Sequence, residues 1–494
     1  MRGYARALSA GIVAAGVAAA LGLTTAPAAG TARAGAGASG ARVPVIVFLK
    51  EERPGPGVSR VRSEQRSALI QAARAPVLQQ ARQLGATDVK SYRLVDAFAA
   101  SVPATAVRQL TASPGVADVI PDSPITGPDP ADLPGPAAAG AGTGGVAGSD
   151  PALPGACSAK PQLDPEGLAL TDTDSTAAGT PTARSLGYTG AGVKVAFLAD
   201  GLDPGNVNLQ RDGKPVITDY RDFSGDGTAA PTAGGEAFLD ANAIAGQGTH
   251  VYNVAGFSAQ PPAGPCDIRI EGTAPGVSLV ALKVFSARNV SSTSGFLQAI
   301  DYAVTVDHVN VINESFGSNP FPDVTSLDAV KEFNDMAVAD GVTVVVASGD
   351  AGPFNTIGSP ATDPAVLSVG ASTDFRFYAQ TDYAAADMFA SSGWLDDNIS
   401  ALSSGGYTQA GGTVDMVAPG DLSFASCTAN LALYSDCASF LGTPSAVEES
   451  GGTSQSAPLV AGAAALVIQA YRKAHGGATP SPAVVKQILL STAT

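Results

Sequence analysis

The chain has 494 residues, 45% of them hydrophobic and 15% charged, enough to bury a substantial core and to form more than one domain. A formal net charge of −16 argues against nucleic acid as the main partner. The four cysteines, Cys157, Cys266, Cys427 and Cys437, are too few for a disulfide scaffold and are not spaced as a zinc site. They suffice for two bridges in an exported protein. Cys427 and Cys437 would close a short loop, although pairing cannot be read from sequence. The charge is uneven: residues 1–126 carry +7 and residues 127–494 carry −23.

Residues 1–34 read as a signal peptide. Arg2 and Arg6 precede the apolar run Leu8 to Leu23, and small-x-small sites follow at Ala26-Pro27-Ala28 and Ala32-Arg33-Ala34. The apolar run is short for a membrane span, so secretion to the extracellular space is expected, with no membrane partner. Residues 43–124 read as a small α+β, ferredoxin-like domain. Strands are predicted over Val43–Leu49 and Ala97–Val102, a helix over Ser63–Leu84 interrupted by Pro76, a short helix from Pro103, and a turn and strand over Pro114–Ile120. The order of strand, helix, Ala97-Phe98-Ala99-Ala100, short helix and Pro114-Gly115-Val116 resembles the inhibitory propeptide of subtilisin-like peptidases. That resemblance implies a folding aid and temporary inhibitor, and so the chain's own propeptide as a partner. A basic front part facing an acidic remainder would be held less firmly as pH falls and carboxylates are protonated. Residues 125–160 are rich in Gly, Ala and Pro and read as a flexible linker.

Residues 161–494 alternate strand and helix. Strands are predicted at Val193–Leu198, Val277–Val284, Val309–Asn313, Val342–Ala347, Val366–Val369 and Val414–Val417, with helices over Gly295–His308 and Leu327–Asp340. This pattern implies an α/β fold, a parallel sheet with helices on both faces, whose functional residues gather at the carboxyl ends of the strands. The chain stops inside the helix predicted after Pro482, whereas subtilisin-like domains usually continue, so truncation is expected.

The stretch Ser450-Gly451-Gly452-Thr453-Ser454-Gln455-Ser456-Ala457-Pro458 turns on glycines and feeds a serine into a helix start. Free N–H groups there can hold an oxyanion while Ser454 attacks a carbonyl. It resembles the nucleophile motif of subtilisin-like and sedolisin-like serine peptidases. Subtilisin-like enzymes pair that serine with a histidine and an aspartate, and this chain lacks both. Ala199 stands at the aspartate's place in Leu198-Ala199-Asp200-Gly201. Gln247 stands at the histidine's place in Gly246-Gln247-Gly248-Thr249-His250. Where subtilisin-like enzymes bind the oxyanion with asparagine, Asp350 occurs in Ser348-Gly349-Asp350-Ala351-Gly352. An aspartate there resembles the sedolisin family, and it would have to be protonated to donate a hydrogen bond.

Sedolisins place glutamate and aspartate on one helix. Gly235-Glu236-Ala237-Phe238-Leu239-Asp240 resembles that motif, and the i, i+4 spacing puts both carboxylates on one helix face. The resemblance implies Ser454 as nucleophile, Glu236 as base, Asp240 as its orienting partner and Asp350 at the oxyanion. It also implies protein or peptide substrates paired along Ser315-Phe316-Gly317, and activity at acidic pH. Two alternatives stay open: a role for Asp200 or His250, and a catalytically inactive peptide-binding relative. No cofactor is required by this chemistry. Structural calcium has no support beyond Asp222-Phe223-Ser224-Gly225-Asp226-Gly227, which has ligand residue types without the spacing of a recognised loop and reads as an acidic turn.

Overall fold

The first strand, Arg42–Leu49, buries Val45 to Leu49 and pairs on both sides, which is what its unbroken apolar run requires. The structure, a computed structural model, describes residues 41–50, 60–127, 156–258, 262, 264–317, 328–381, 396–408, 410–439 and 442–493, with side chains of the first helix from Ala68 onward. The predicted signal peptide and most of the predicted linker lie outside the described residues.

The strands Arg42–Leu49, Thr87–Ser91, Ala97–Pro103 and Val116–Pro121 form an antiparallel sheet in sequence order 2-3-1-4. With the helices Arg60–Gln83 and Ala104–Thr111 this is a ferredoxin-like arrangement. The strand Thr87–Ser91 was not anticipated, because its polar residues leave it mostly exposed. Pro76 does not interrupt the first helix. Pro76 and Ala72, whose carbonyl loses its donor, both sit on the exposed face, where water can serve that carbonyl.

Seven parallel strands follow in one sheet: Ile217–Asp222, Ser278–Lys283, Lys194–Ala199, Val311–Glu314, Thr343–Ala347, Leu367–Ser372 and Met416–Pro419. Helices cover both faces, as expected. Alternate residues serve the two cores, as strand geometry dictates. Ala196, Leu198, Ile312, Val344 and Val346 pack with Phe296, Ile300 and Phe333 of the helices Thr293–Thr305 and Asp328–Ala339. Val195, Phe197, Ala199, Val311 and Val345 pack with Ala241, Ile244, Ala461 and Ala464 on the other face. Those residues belong to the helices Gly235–Ala245, here the acid helix, and Thr453–Ala474, the serine helix. The order of strands reverses at Lys194–Ala199, so the crevice opens beyond its carboxyl end and that of Val311–Glu314.

The four-stranded sheet packs on the face carrying the helix Thr293–Thr305. Tyr92 stands edge-on to Phe333, with ring centroids 5.0 Å apart. Asp301 accepts the Arg93 and Leu94 N–H groups, each at 2.6 Å. Asp122 Oδ1 accepts from Ser294 N at 2.8 Å, at the start of that helix, where negative charge is favoured. Beyond it, Pro124–Thr126 forms a strand antiparallel to Val290–Ser292. That strand lies across the boundary between the predicted small domain and the predicted linker. Two disulfides join Cys157 to Cys266 and Cys427 to Cys437.

Candidate active site

The serine helix begins where the strand Val447–Gly451 ends, and one glycine makes the turn. Gly452 has φ 86° and ψ −172°, a conformation essentially confined to glycine. A Cβ there would also lie 2.5 Å from Asp350 Oδ2. The turn delivers Ser454 at the second helical position, nearly buried.

The acid helix lies along the serine helix and brings Glu236 and Asp240 to it. The Ser454 hydroxyl donates to the Ser315 carbonyl at 3.4 Å and lies close enough to the Glu236 carboxylate to favour its charged form. Asp240 is fully buried. Its Oδ1 accepts from Asn313 Nδ2 at 3.0 Å and from Ser315 Oγ at 2.7 Å. Strand parity explains this pair of donors: Asn313 and Ser315 share the sheet face of Val311, which is the face the acid helix covers. Glu236 Oε1 and Asp240 Oδ2 are both buried without a hydrogen-bond partner. Burial, followed by the charge of Asp240, holds Glu236 well above the ordinary carboxyl range. Burial does the same for Asp240, against the hydrogen bonds from Ser315 and Asn313.

Asp350 sits across the turn. Its Oδ1 accepts from Thr453 N at 2.8 Å and Thr453 Oγ1 at 2.9 Å, and Oδ2 lies over Gly452. Burial raises its pKa, against the two Thr453 bonds, and the Asp421 charge adds to the rise. A protonated Asp350 beside the N–H groups of the serine helix could donate to an oxyanion; an ionised one would repel it.

The fold uses a different frame from the one that placed Gln247 at the histidine position. The helix against Ser454 is Gly235–Ala245. Gly246, at φ −49° and ψ 136°, ends it. Gln247 lies past that end, donating from Nε2 to the Ala245 carbonyl at 2.6 Å and the Pro275 carbonyl at 2.8 Å. Glu236, in the first turn of the acid helix, is the residue facing the serine. His250 is exposed, with Nδ1 3.1 Å from Thr249 Oγ1. His308 bonds the Val304 carbonyl, and His475 stacks on Tyr471.

Asp200 has another task. Its carboxylate accepts from Thr232 Oγ1 at 3.1 Å, from Gly234 N, and from Ala237 N at 2.9 Å. It thus caps the acid helix from outside the helix's own sequence, which satisfies donors the first turn leaves free. Burial pushes it up to about 6 against those bonds. Asn313, Ser315 Oγ and Thr453 were not singled out as holders of the carboxylates; only the parity of the strand at 311–314 hinted at the first two. In the acidic turn, Asp222 accepts from Ser224, Gly225 and Gly227, and Asp226 from Ala287 N, all within the protein. The one grouping of metal-ligand types among the described residues is Cys427, Cys437 and Glu448, and its two sulfurs are bonded to each other.

The subtilase family of peptidases matches residues 190–494, which contain the whole site. This chain belongs to the subtilase family. It is 29% identical over 314 residues to subtilisin DY of Bacillus licheniformis, covering 63% of this chain and 87% of that protein. It is 28% identical over 319 residues to subtilisin E of Bacillus subtilis, 64% of each chain. It is also 27% identical over 311 residues to the membrane-bound transcription factor site-1 protease of Rattus norvegicus, covering 62% of this chain and 23% of that one. The subtilase is accordingly a serine-type endopeptidase acting on protein or peptide substrates.

Proposed function

We propose that this subtilase is a secreted endopeptidase, made as a zymogen, that works at acidic pH through Ser454, Glu236 and Asp240. One observation carries this reading. Two carboxyl groups on one helix face each leave a buried oxygen without a partner, and one of them lies beside the hydroxyl of the nucleophile. A single proton between Glu236 and Asp240 would satisfy both orphan oxygens and make the pair titrate as a unit. Ser454 attacks the peptide carbonyl while Glu236 takes its proton and later returns it to the leaving amine. Asp240, held by Asn313 and Ser315, keeps Glu236 oriented. Protonated Asp350 and the Ser454 N–H hold the oxyanion.

The zymogen reading rests on the packing of residues 42–126. The strand Pro124–Thr126 occupies the edge Val290–Ser292 by β-augmentation. Ile125 is buried in the cluster that holds Phe285, Phe296 and Phe316. A substrate strand taking the same edge would place an apolar side chain there. The expected loosening at low pH meets a contact of the opposite sign: burial raises Asp301 to about 6, so at this position docking takes up a proton and tightens as pH falls. Secretion is supported by the leader-like sequence and the two disulfides. No helix among the described residues is long and apolar enough to cross a membrane.

The test is peptide hydrolysis from about pH 2.5 to 9, spanning carboxyl and histidine titration, by wild type, Ser454→Ala and Glu236→Gln. Activity confined to acidic pH and lost in both variants is expected. An optimum at neutral or alkaline pH, or turnover by Glu236→Gln equal to wild type, would overturn the carboxyl triad.

A further inference from the structure

With Glu236 as the base, its helix must be held at a fixed distance and angle from Ser454. Asp200 satisfies the first N–H groups of that helix but makes no link to the serine. The link comes from the loop closed by Cys427 and Cys437, ten residues apart. Thr232, just before the acid helix, donates from its N–H to the Leu433 carbonyl at 2.8 Å and accepts from Ser435 N at 3.2 Å. Asp436 N donates to the Ala233 carbonyl at 2.9 Å. The loop therefore runs as a one-residue parallel bridge, Thr232 with Tyr434, alongside the chain entering the helix.

Two side chains then press on the helix itself. Tyr434 covers Gly234, where a Cβ would come within 3.1 Å of it. Its ring stands edge-on to Phe238, with centroids 5.3 Å apart at 84°. Phe238 lies between Glu236 and Asp240 in the same helix. The Asp436 carboxylate covers Gly235, where a Cβ would lie 2.7 Å from Oδ2. The other end of the loop reaches the nucleophile. Cys427 continues from the strand Leu422–Ser426, which pairs antiparallel with Val447–Gly451, and that strand runs directly into Gly452 and Ser454. One closed piece of chain is thus laced to the base on one side and to the nucleophile on the other.

We propose that the disulfide-closed loop 427–437 is the positioning element of the Glu236–Ser454 pair, with Tyr434 as its principal contact on the acid helix. The proposal rests on Glu236 being the base. The Tyr434 hydroxyl takes no part; the ring's shape against Gly234 and Phe238 does. The second disulfide supplies a control, since Cys157–Cys266 joins segments beside the strands Gln162–Asp164 and Asp267–Ile270 instead.

The experiment measures kcat, KM and Tm for the full chain after maturation, with a peptide substrate at the acidic optimum. The variants are Tyr434→Ala, Tyr434→Phe, Cys427→Ser with Cys437→Ser, and Cys157→Ser with Cys266→Ser. Tyr434→Ala should lower kcat roughly 10- to 100-fold, as a displacement of about 1 Å in a reacting pair does, with KM within about twofold. Tyr434→Phe should restore it. The 427/437 double variant should lose kcat likewise, while the 157/266 variant loses Tm and keeps kcat. Should the 427/437 variant not fold, the two Tyr434 variants decide. Wild-type kcat in Tyr434→Ala, or an equal kcat loss in the 157/266 variant, overturns the proposal. If Glu236→Gln keeps wild-type turnover, the triad itself is wrong; if Glu236→Gln is dead while Tyr434→Ala is unimpaired, only the positioning role falls.

Discussion

Glu314 offers a measurable test of how this fold treats acids. It is fully buried, on the sheet face opposite Asn313 and Ser315, and its Oε2 accepts from Asn334 Nδ2 at 2.8 Å. Glu314 Oε1 and Asn334 Oδ1 are both buried without partners. A proton on the Glu314 carboxyl, donated to Asn334 Oδ1, would pair both atoms in a neutral acid–amide contact. Burial, aided by the Asp363 charge and opposed by the Asn334 bond, raises Glu314 to about 8 from an ordinary 4.5. The unfolded chain loses this proton first as pH rises, so folding stability falls between about pH 4.5 and 8 and levels off above. At about 1.4 kcal/mol per pH unit the full loss is about 5 kcal/mol. Glu314→Gln keeps a neutral group that can pair with Asn334 and removes the proton dependence. In a Ser454→Ala background, which prevents autolysis, urea unfolding at pH 4, 6 and 8.5 should show the two chains equal at pH 4. The glutamine variant should be about 5 kcal/mol more stable at pH 8.5. A stability difference that stays constant across the three pH values would refute the neutral-acid reasoning.

Three further outcomes follow from the site. Ser315→Ala removes a donor to ionised Asp240, so Asp240 should hold its proton to higher pH. The alkaline limb of kcat/KM should then move up by about one pH unit, the size of one charge-assisted hydrogen bond, and a stationary limb would count against Asp240 as the orienting acid. Gly452→Ala places a Cβ at φ 86° and against Asp350 Oδ2; it should cost about 1–3 kcal/mol in chemical unfolding and lower kcat by roughly 10²-fold or more. Asp301→Asn keeps an acceptor for Arg93 N and Leu94 N without the titration, so binding of a separately made fragment 41–127 to the mature part should gain affinity near neutral pH and lose the Asp301 contribution to its pH dependence between about 4 and 6. An unchanged pH dependence in calorimetric titrations would remove Asp301 from the account.

Much of this protein was legible from residue order alone, because the signals are local. Short, mainly apolar runs such as Val193–Leu198 and Val342–Ala347, alternating with helical stretches, read as strands buried on both faces, and they predict the parallel sheet. The glycine turn before Ser454 and the i, i+4 spacing of Glu236 and Asp240 are likewise local, and they place a serine at a helix start and two carboxyl groups on one helix face. The edge strand Ile217–Asp222 carries no apolar run in the sequence, because polar residues, two of them exposed, interrupt it. Which helix faces the serine was not local either: Gly246-Gln247-Gly248 looks like the histidine motif in sequence, yet the chain leaves the helix at Gly246. Only the tertiary structure brings Asn313 and Ser315 to Asp240, Asp200 to the head of the acid helix, and the 427–437 loop against Gly234 and Phe238. Those contacts join residues tens to hundreds of positions apart, and they depend on strand parity and helix packing, which no short window of sequence contains. The raised pKa of the buried acids has the same origin, since burial is a property of the fold and not of the residue.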